Sequence, residues 1–409
     1  MIQRIAPASL CLLMVVGSLG SARSEEDRGP IEVSDRAREL HHACLLIDGH
    51  NDMPWEIRTQ GSSDFTKLDI SQPQATLHTD LPRAREGGLK AQFWSVWVPA
   101  NLDGTGKALS TTLEQIELVR LMLDRYPEDL ELALTADDIE RIAGEGRIAS
   151  LIGVEGGHCI EESLGTLRQL YSLGARYMTL THGDTISWAD SGTDVEKHGG
   201  LTEFGREVVR EMNRLGMMVD ISHVSINVMH QALDISSAPV IFSHSSSRAV
   251  ADHPRNVPDD VLERLPEKDG VVMVNFFSAF VVPAAADNYA TRFALGRELD
   301  EQGVEEAEKR RKLSEWSRAN PMPKGSIHDL LDHIDHIAKV AGIEHVGIGS
   351  DYDGVSILPE GLEDVSTYPR ITQGMIDRGY SDEEIRGVLG GNLLRVMRKA
   401  EAAAEVSGK

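Results

Sequence analysis

Apolar residues in this chain gather in eight short runs, at 45–47, 93–96, 151–154, 177–180, 217–219, 240–242, 271–274 and 346–348. Each run is unbroken rather than alternating, the pattern of a strand buried on both faces in a parallel sheet. Between the runs the apolar positions take a helical period, at 110–126, 135–146, 160–173, 200–215, 225–235, 258–268, 326–341 and 382–399. Strand then helix, repeated, predicts an α/β protein. Eight parallel strands suffice to close a (β/α)8 TIM-type barrel. The stretch 281–325 is charged and without clear period, and predicts a long excursion between the last two strands, near the active face.

Six of the runs stop at a residue that can hold a metal or move a proton: His50 with Asp52, Glu155, His182, His223, His244 and Asp351. In a closed barrel the carboxyl ends of all strands converge on one face, so these side chains are expected to meet.

A length of 409 residues permits two domains, but no linker, repeat or low-complexity tract divides the chain. We expect a single domain with insertions, the barrel spanning 31–402. Residues 1–22 have the layout of a secretory signal: Arg4, an apolar stretch over 8–19, then Gly20-Ser21-Ala22. The destination implied is secreted or periplasmic. No other segment is long and apolar enough to span a membrane, and the polar end from Glu401 shows no lipid-anchor tail. With 65 acidic against 41 basic residues and a net charge of −24, the surface is a poor match for nucleic acid. Cys11 falls within the signal, and Cys44 and Cys159 are expected as buried free thiols.

His50 and Asp52 leave a strand end two residues apart, on the same side. Alone, that pair is weak. Glu155 strengthens it, because an acid after four apolar residues needs a partner, and Gly156-Gly157 leave room for another group to approach. Runs five and six both end in Ser-His, at His223 and His244. Imidazole nitrogen with carboxylate oxygen suits zinc. Together His50, Asp52, Glu155, His223 and His244 would give two ions one shared carboxylate and two further ligands each. His182 is a surplus imidazole, placed to stabilise an oxyanion. Asp351 is placed to relay a proton from water to a leaving group, while Asp353 is expected to cap a turn before Gly354. His158 is a candidate support for Glu155. The helix around 327–337 also carries acids and histidines at metal-binding spacing, Asp329 with His333 and Asp332 with His336. Its apolar stripe is already complete, so those four are expected on water.

Seven motifs, in order, resemble the membrane dipeptidase (renal dipeptidase) family of zinc peptidases across essentially the whole chain after the signal. They are Asp48-Gly49-His50-Asn51-Asp52, Gly153-Val154-Glu155-Gly156-Gly157-His158, Leu180-Thr181-His182, Asp220-Ile221-Ser222-His223-Val224-Ser225, Phe242-Ser243-His244-Ser245, Arg255-Asn256-Val257-Pro258-Asp259-Asp260 and Ser350-Asp351-Tyr352-Asp353-Gly354. The resemblance implies an amidohydrolase-like barrel with two zinc ions, one on His50 and Asp52, the other on His223 and His244, bridged by Glu155. It implies that His182 faces the scissile carbonyl, Arg255 binds the α-carboxylate of a dipeptide and Asp351 is the acid/base. From the residues alone, Arg255 reads as a loop arginine capping the chain or pairing with Asp259. Two departures stand out: Asp184 occupies the place of a cysteine that mammalian members use in a disulfide, and their anchor signal is missing. Homodimerisation is a habit of the family.

The chemistry expected is attack of a metal-bridging hydroxide on the amide of a dipeptide. Hydrolysis of another amide or a lactone would use the same ligands, and a zinc-binding protein without turnover would need neither Asp351 nor His182.

Overall fold

Each apolar run becomes a strand in the computed structural model, which describes residues 28–407; the expected signal at 1–22 lies outside them. The strands are β1 (Leu46–Asn51), β2 (Leu89–Trp97), β3 (Leu130–Leu132), β4 (Ile148–Glu155), β5 (Ala175–Thr179), β6 (Met218–Asp220), β7 (Val240–Phe242), β8 (Val271–Val274) and β9 (Val346–Ile348). All neighbours pair parallel, and β2 pairs with β4 to close the ring. Eight strands form the barrel, confirming the expected class. The ninth, β3, is an addition: it takes the edge of β4 at Ile148–Ser150, below the part at Ile152–Glu155 that β5 uses. At three residues it is too short to leave a periodic trace in the sequence.

Side chains alternate between two packed layers, as the pleat requires. Ile47, Phe93, Leu151, Tyr177, Ile241 and Met273 form the interior, closed at one end by Leu393 and Met397 of the helix Asn392–Ser407. Leu46, Trp94, Ile152, Met178 and Val272 face the surrounding helices, against Ile116, Leu167, Val208 and Leu330. From Ile31 onward the chain forms one compact unit.

Helix ends follow local chemistry. Thr135, Ser326 and Ser381 each head a capping box, satisfying N–H groups that the helix itself leaves open. The segment 258–268 is two short helices, Asp259–Leu262 and Leu265–Lys268, with Pro266 in the first turn of the second. The segment 382–399 is likewise broken, by a wide turn at Gly387–Gly391.

Two expectations are corrected. The excursion 281–325 is a helical hairpin, Pro283–Glu301 and Glu306–Ala319. The first helix buries only Ala285, Ala286, Gly296 and Leu299, and the second buries nothing, so neither needed an apolar stripe. Ion pairs one turn apart, Arg310 with Glu306 and Arg311 with Glu308 and Glu315, support the second. The acids and histidines of Ile327–Ala341 are not simply on water: His333 is fully buried, accepting from Ser247 N–H and bonding Val281 C=O, while His336 pairs with Asp259. Burial of this helix extends beyond its apolar stripe because the loops after β7 and β8 pack over it. Cys44 and Cys159 are buried and free, as expected. Among the described residues no helix is long and apolar enough to cross a membrane.

Candidate metal centre

The barrel brings the strand-end residues to one place. Glu155, the last residue of β4, lies at the centre: its Oε2 is 3.5 Å from His50 Nε2, and its Oε1 is 3.0 Å from His223 Nε2 and 3.3 Å from His244 Nε2. One carboxylate thus serves two groups of donors, one oxygen each. His50 Nε2 is 3.3 Å from Asp52 Oδ2, and Asp351 can share an ion with that pair. His182 Nε2, at 3.9 Å from Glu155 Oε1, sits on the His223 side, its ring stacked on that of His223. Asp52, Glu155, His223 and His244 line one pocket with His182, Asp351 and Arg255, and His50 meets them through Glu155 and Asp52.

The donors suit metal. His50 Nδ1 lies 2.9 Å from the Tyr177 hydroxyl, which itself donates to Gly49 C=O. The hydroxyl therefore accepts from Nδ1–H, leaving a lone pair on Nε2. His244 is set the same way: Nδ1 bonds Ser243 Oγ at 2.7 Å, and Ser243 donates to buried Asp220 at 2.6 Å. His223 Nε2 approaches His244 Nε2 to 2.9 Å. With a lone pair on His244 Nε2, that contact is an N–H···N bond from His223 or, with His223 Nε2 bare as well, a place for a cation beside the Glu155 carboxylate.

Electrostatics agree. Burial, with the charge of Arg255 and neighbouring imidazoles, holds His223 and His244 well below the usual histidine range, so they are neutral, as ligands must be. Burial works against a charged Glu155, but the surrounding imidazoles outweigh it and keep the carboxylate ionised. Burial also opposes a charged His50, yet Tyr177, Glu155 and Asp52 together favour positive charge there. A metal dication would answer the same demand. Burial raises the Asp351 carboxyl, with Asp52 and Glu155 adding to the shift against the pull of His50. Asn275 Nδ2 donates to its Oδ2 at 2.7 Å, fixing the plane of the group.

The turns that carry these groups are strained. His223, Asp351 and Asp353 have φ of 69°, 63° and 65°, a left-handed backbone that costs a non-glycine residue about 1 kcal/mol or more. Asp353 does more than cap a turn: it is buried, its Oδ1 accepts from His78 N–H at 2.6 Å, and its own N–H donates to His78 Nδ1. Gly157 is needed for close approach, since a side chain there would strike the Trp188 ring and the Leu180 carbonyl. The expected support of Glu155 by His158 is absent; Ser95 Oγ donates to Glu155 Oε2 instead, at 3.2 Å from the facing strand β2. Arg255 does not pair with Asp259, which is taken by His336. It is buried over the Phe280 ring, bonding only Ser245 Oγ and His244 C=O, and its Nε has no partner among the described residues.

Sequence reasoning passed over Tyr177, Ser95, Asp220, Ser243 and Asn275. Tyr177 lay inside an apolar run and read as core. Asn275 carried a readable signal, because it follows the run 271–274 as the named residues follow theirs.

A parallel barrel whose strand ends gather histidines and acids around a shared carboxylate is an enzyme scaffold with a metal-binding active face. The chain belongs to the membrane dipeptidase family (Peptidase family M19), whose model it matches over residues 34–409. It is a metallopeptidase of dipeptidase type. Solved structures agree in fold. The probable dipeptidase PvdM from Pseudomonas aeruginosa superposes with a TM-score of 0.80 at 25% identity, over 90% of this chain and 98% of that one. A metallo peptidase from Rhodobacter sphaeroides, liganded with a phosphinate mimic of the dipeptide L-Ala-D-Ala, gives 0.71 at 23% identity, over 87% and 99%. An amidohydrolase from Pseudomonas aeruginosa gives 0.68 at 22%, over 89% and 98%.

Proposed function

We propose that this is an exported binuclear zinc dipeptidase, with His50 and Asp52 holding one ion, His223 and His244 the other, and Glu155 bridging them. The division of the two Glu155 oxygens between His50 on one side and His223 with His244 on the other carries the reading. Zinc bound there would polarise the scissile carbonyl and lower the pKa of water from about 15.7 to about 7. The chain supplies the rest. Asp351, held by Asn275 through Oδ2, takes the proton of the attacking water and returns it to the departing amine. His182, with its side chain 28% exposed at the pocket wall, donates to the oxyanion of the tetrahedral intermediate. Arg255 holds the substrate's terminal carboxylate: a buried guanidinium without an acid partner among the described residues leaves room for one from the substrate. That clamp limits the length of peptide beyond the scissile bond, which favours dipeptides. The phosphinate dipeptide mimic in the Rhodobacter sphaeroides metallo peptidase fits the same assignment.

Arg255→Ala tests it. Loss of a buried charge partner costs about 2–4 kcal/mol, so KM for a free dipeptide should rise roughly 30- to 1,000-fold. KM for the same dipeptide amidated at its C-terminus should change little. Equal damage to both substrates refutes the clamp.

A further inference from the structure

The helical hairpin Pro283–Ala319 is no part of the barrel, yet one of its residues, Tyr289, lines the pocket that holds the metal donors. Tyr289 does not stand alone. Its ring is 6.2 Å from that of Phe277 at nearly a right angle, and Phe277 meets Phe280 at 5.0 Å in the same manner. Phe280 in turn lies under the Arg255 guanidinium, 5.1 Å from ring centre to cation. One turn outward along the hairpin, Phe293 stacks on Tyr289 at 6.4 Å and is 42% exposed. Three of these rings, Phe277, Phe280 and Tyr289, line the pocket beside the carboxylate clamp, and Phe293 continues the row beyond it.

Phe280 is buried, but Phe277 and Tyr289 are half-buried and Phe293 is exposed, and large apolar rings left partly open beside a polar centre are costly unless something apolar covers them. Tyr289 and Phe293 share a helix face with Ala285, Ala286 and Gly296, which are buried, yet Tyr289 stays half-buried and Phe293 exposed. The row is not a core cluster of the barrel, whose interior and outer layers are complete without Tyr289 and Phe293.

We propose that Phe277, Phe280, Tyr289 and Phe293 form the subsite for the side chain of the substrate's C-terminal residue, and that the hairpin makes the enzyme select aromatic or large apolar residues there. The inference rests on the assignment of Arg255 as the carboxylate clamp. Once that carboxylate is seated, the α-carbon next to it is a single bond away, and its side chain projects among the rings adjoining Arg255. Aromatic pairs prefer offset or edge-to-face contact; His253 packs against Phe280 and Tyr289, so the half-buried rings of Phe277 and Tyr289, which line the pocket, are the ones left for a substrate side chain to meet.

Two readouts test this and separate it from the dipeptidase assignment. The first is kcat/KM of the zinc-loaded enzyme on Ala-Phe and Ala-Ala. The second is calorimetric binding of free phenylalanine and alanine, which needs no turnover. A single methylene in a hydrophobic pocket is worth about 10- to 200-fold, so with a whole phenyl ring at stake wild type should prefer the phenylalanine ligand by at least about tenfold in both. Tyr289→Ala should bring both ratios close to one, mainly through KM and Kd, and Phe293→Ala, at an exposed position where folding is not at stake, should lower them severalfold. Preference in binding without cleavage of either dipeptide would sustain the subsite and defeat the dipeptidase reading. Cleavage with ratios near one in wild type, or ratios untouched by both substitutions, would overturn the subsite while leaving the dipeptidase reading intact.

Discussion

Removing one oxygen atom from the barrel interior should loosen the metal centre. Tyr177→Phe deletes the hydroxyl that accepts from His50 Nδ1 at 2.9 Å and donates to Gly49 C=O at 3.1 Å. The ring keeps its place: Gly153 opposite has no side chain, and any added there would overlap it. Both former partners then sit in a fully buried position without a bond, at about 1–3 kcal/mol each. His50 can respond by moving its proton to Nε2, which relieves the buried N–H but removes the lone pair that faces Glu155 and Asp52. Either way the ion held by His50 and Asp52 loses affinity, by about 10- to 100-fold if this bond behaves like other supports of metal ligands. The metal-free protein should also unfold more easily, by about 1–3 kcal/mol if His50 shifts its proton and about 2–6 kcal/mol if it does not. Competition against a chromophoric chelator measures affinity, and urea unfolding of the chelated protein measures stability. Activity should return when excess zinc is supplied. If Tyr177→Phe binds both metals as tightly as wild type, the hydroxyl does not set the tautomer of His50, and the argument from His50 to a metal fails with it.

Other outcomes follow from the same geometry. Glu155→Gln replaces a carboxylate that faces two donor groups by an amide with one acceptor oxygen, so metal content by atomic emission should fall from about two ions per chain to about one; two retained ions would show that Glu155 does not bridge. His41 and His333 are each held down at about 4 by burial, below the roughly 6.5 of an unfolded chain. Between those values the unfolded chain binds more protons, so their contribution to stability is whole above about pH 6.5 and is lost as pH falls toward 4, by up to about 3 kcal/mol per histidine. Urea midpoints of the chelated protein between pH 7 and 4.5 should decline accordingly, with a shallower decline in His333→Gln; a midpoint independent of pH in that window contradicts the burial argument.

Much of this protein is legible along the chain because a buried parallel strand is written locally: a few consecutive apolar residues, with the next polar residue at the strand's end. Glu155, His223 and His244 could be picked out for that reason, since polar groups abutting a core must have a partner or a task. Seven motifs in sequence order then pointed to the family. Tertiary structure decided what depends on distance between strands. Tyr177 lies in β5 and looks like core until the barrel sets it beside His50 of β1, across 127 positions. Ser95 replaces His158 as the support of Glu155 because β2, not the following turn, faces that carboxylate. The hairpin 283–319 left no apolar period, since a helix that packs on little core is free of the pattern by which helices are read. Local sequence records whether a residue is buried; only closure of the barrel settles which other residues it meets there.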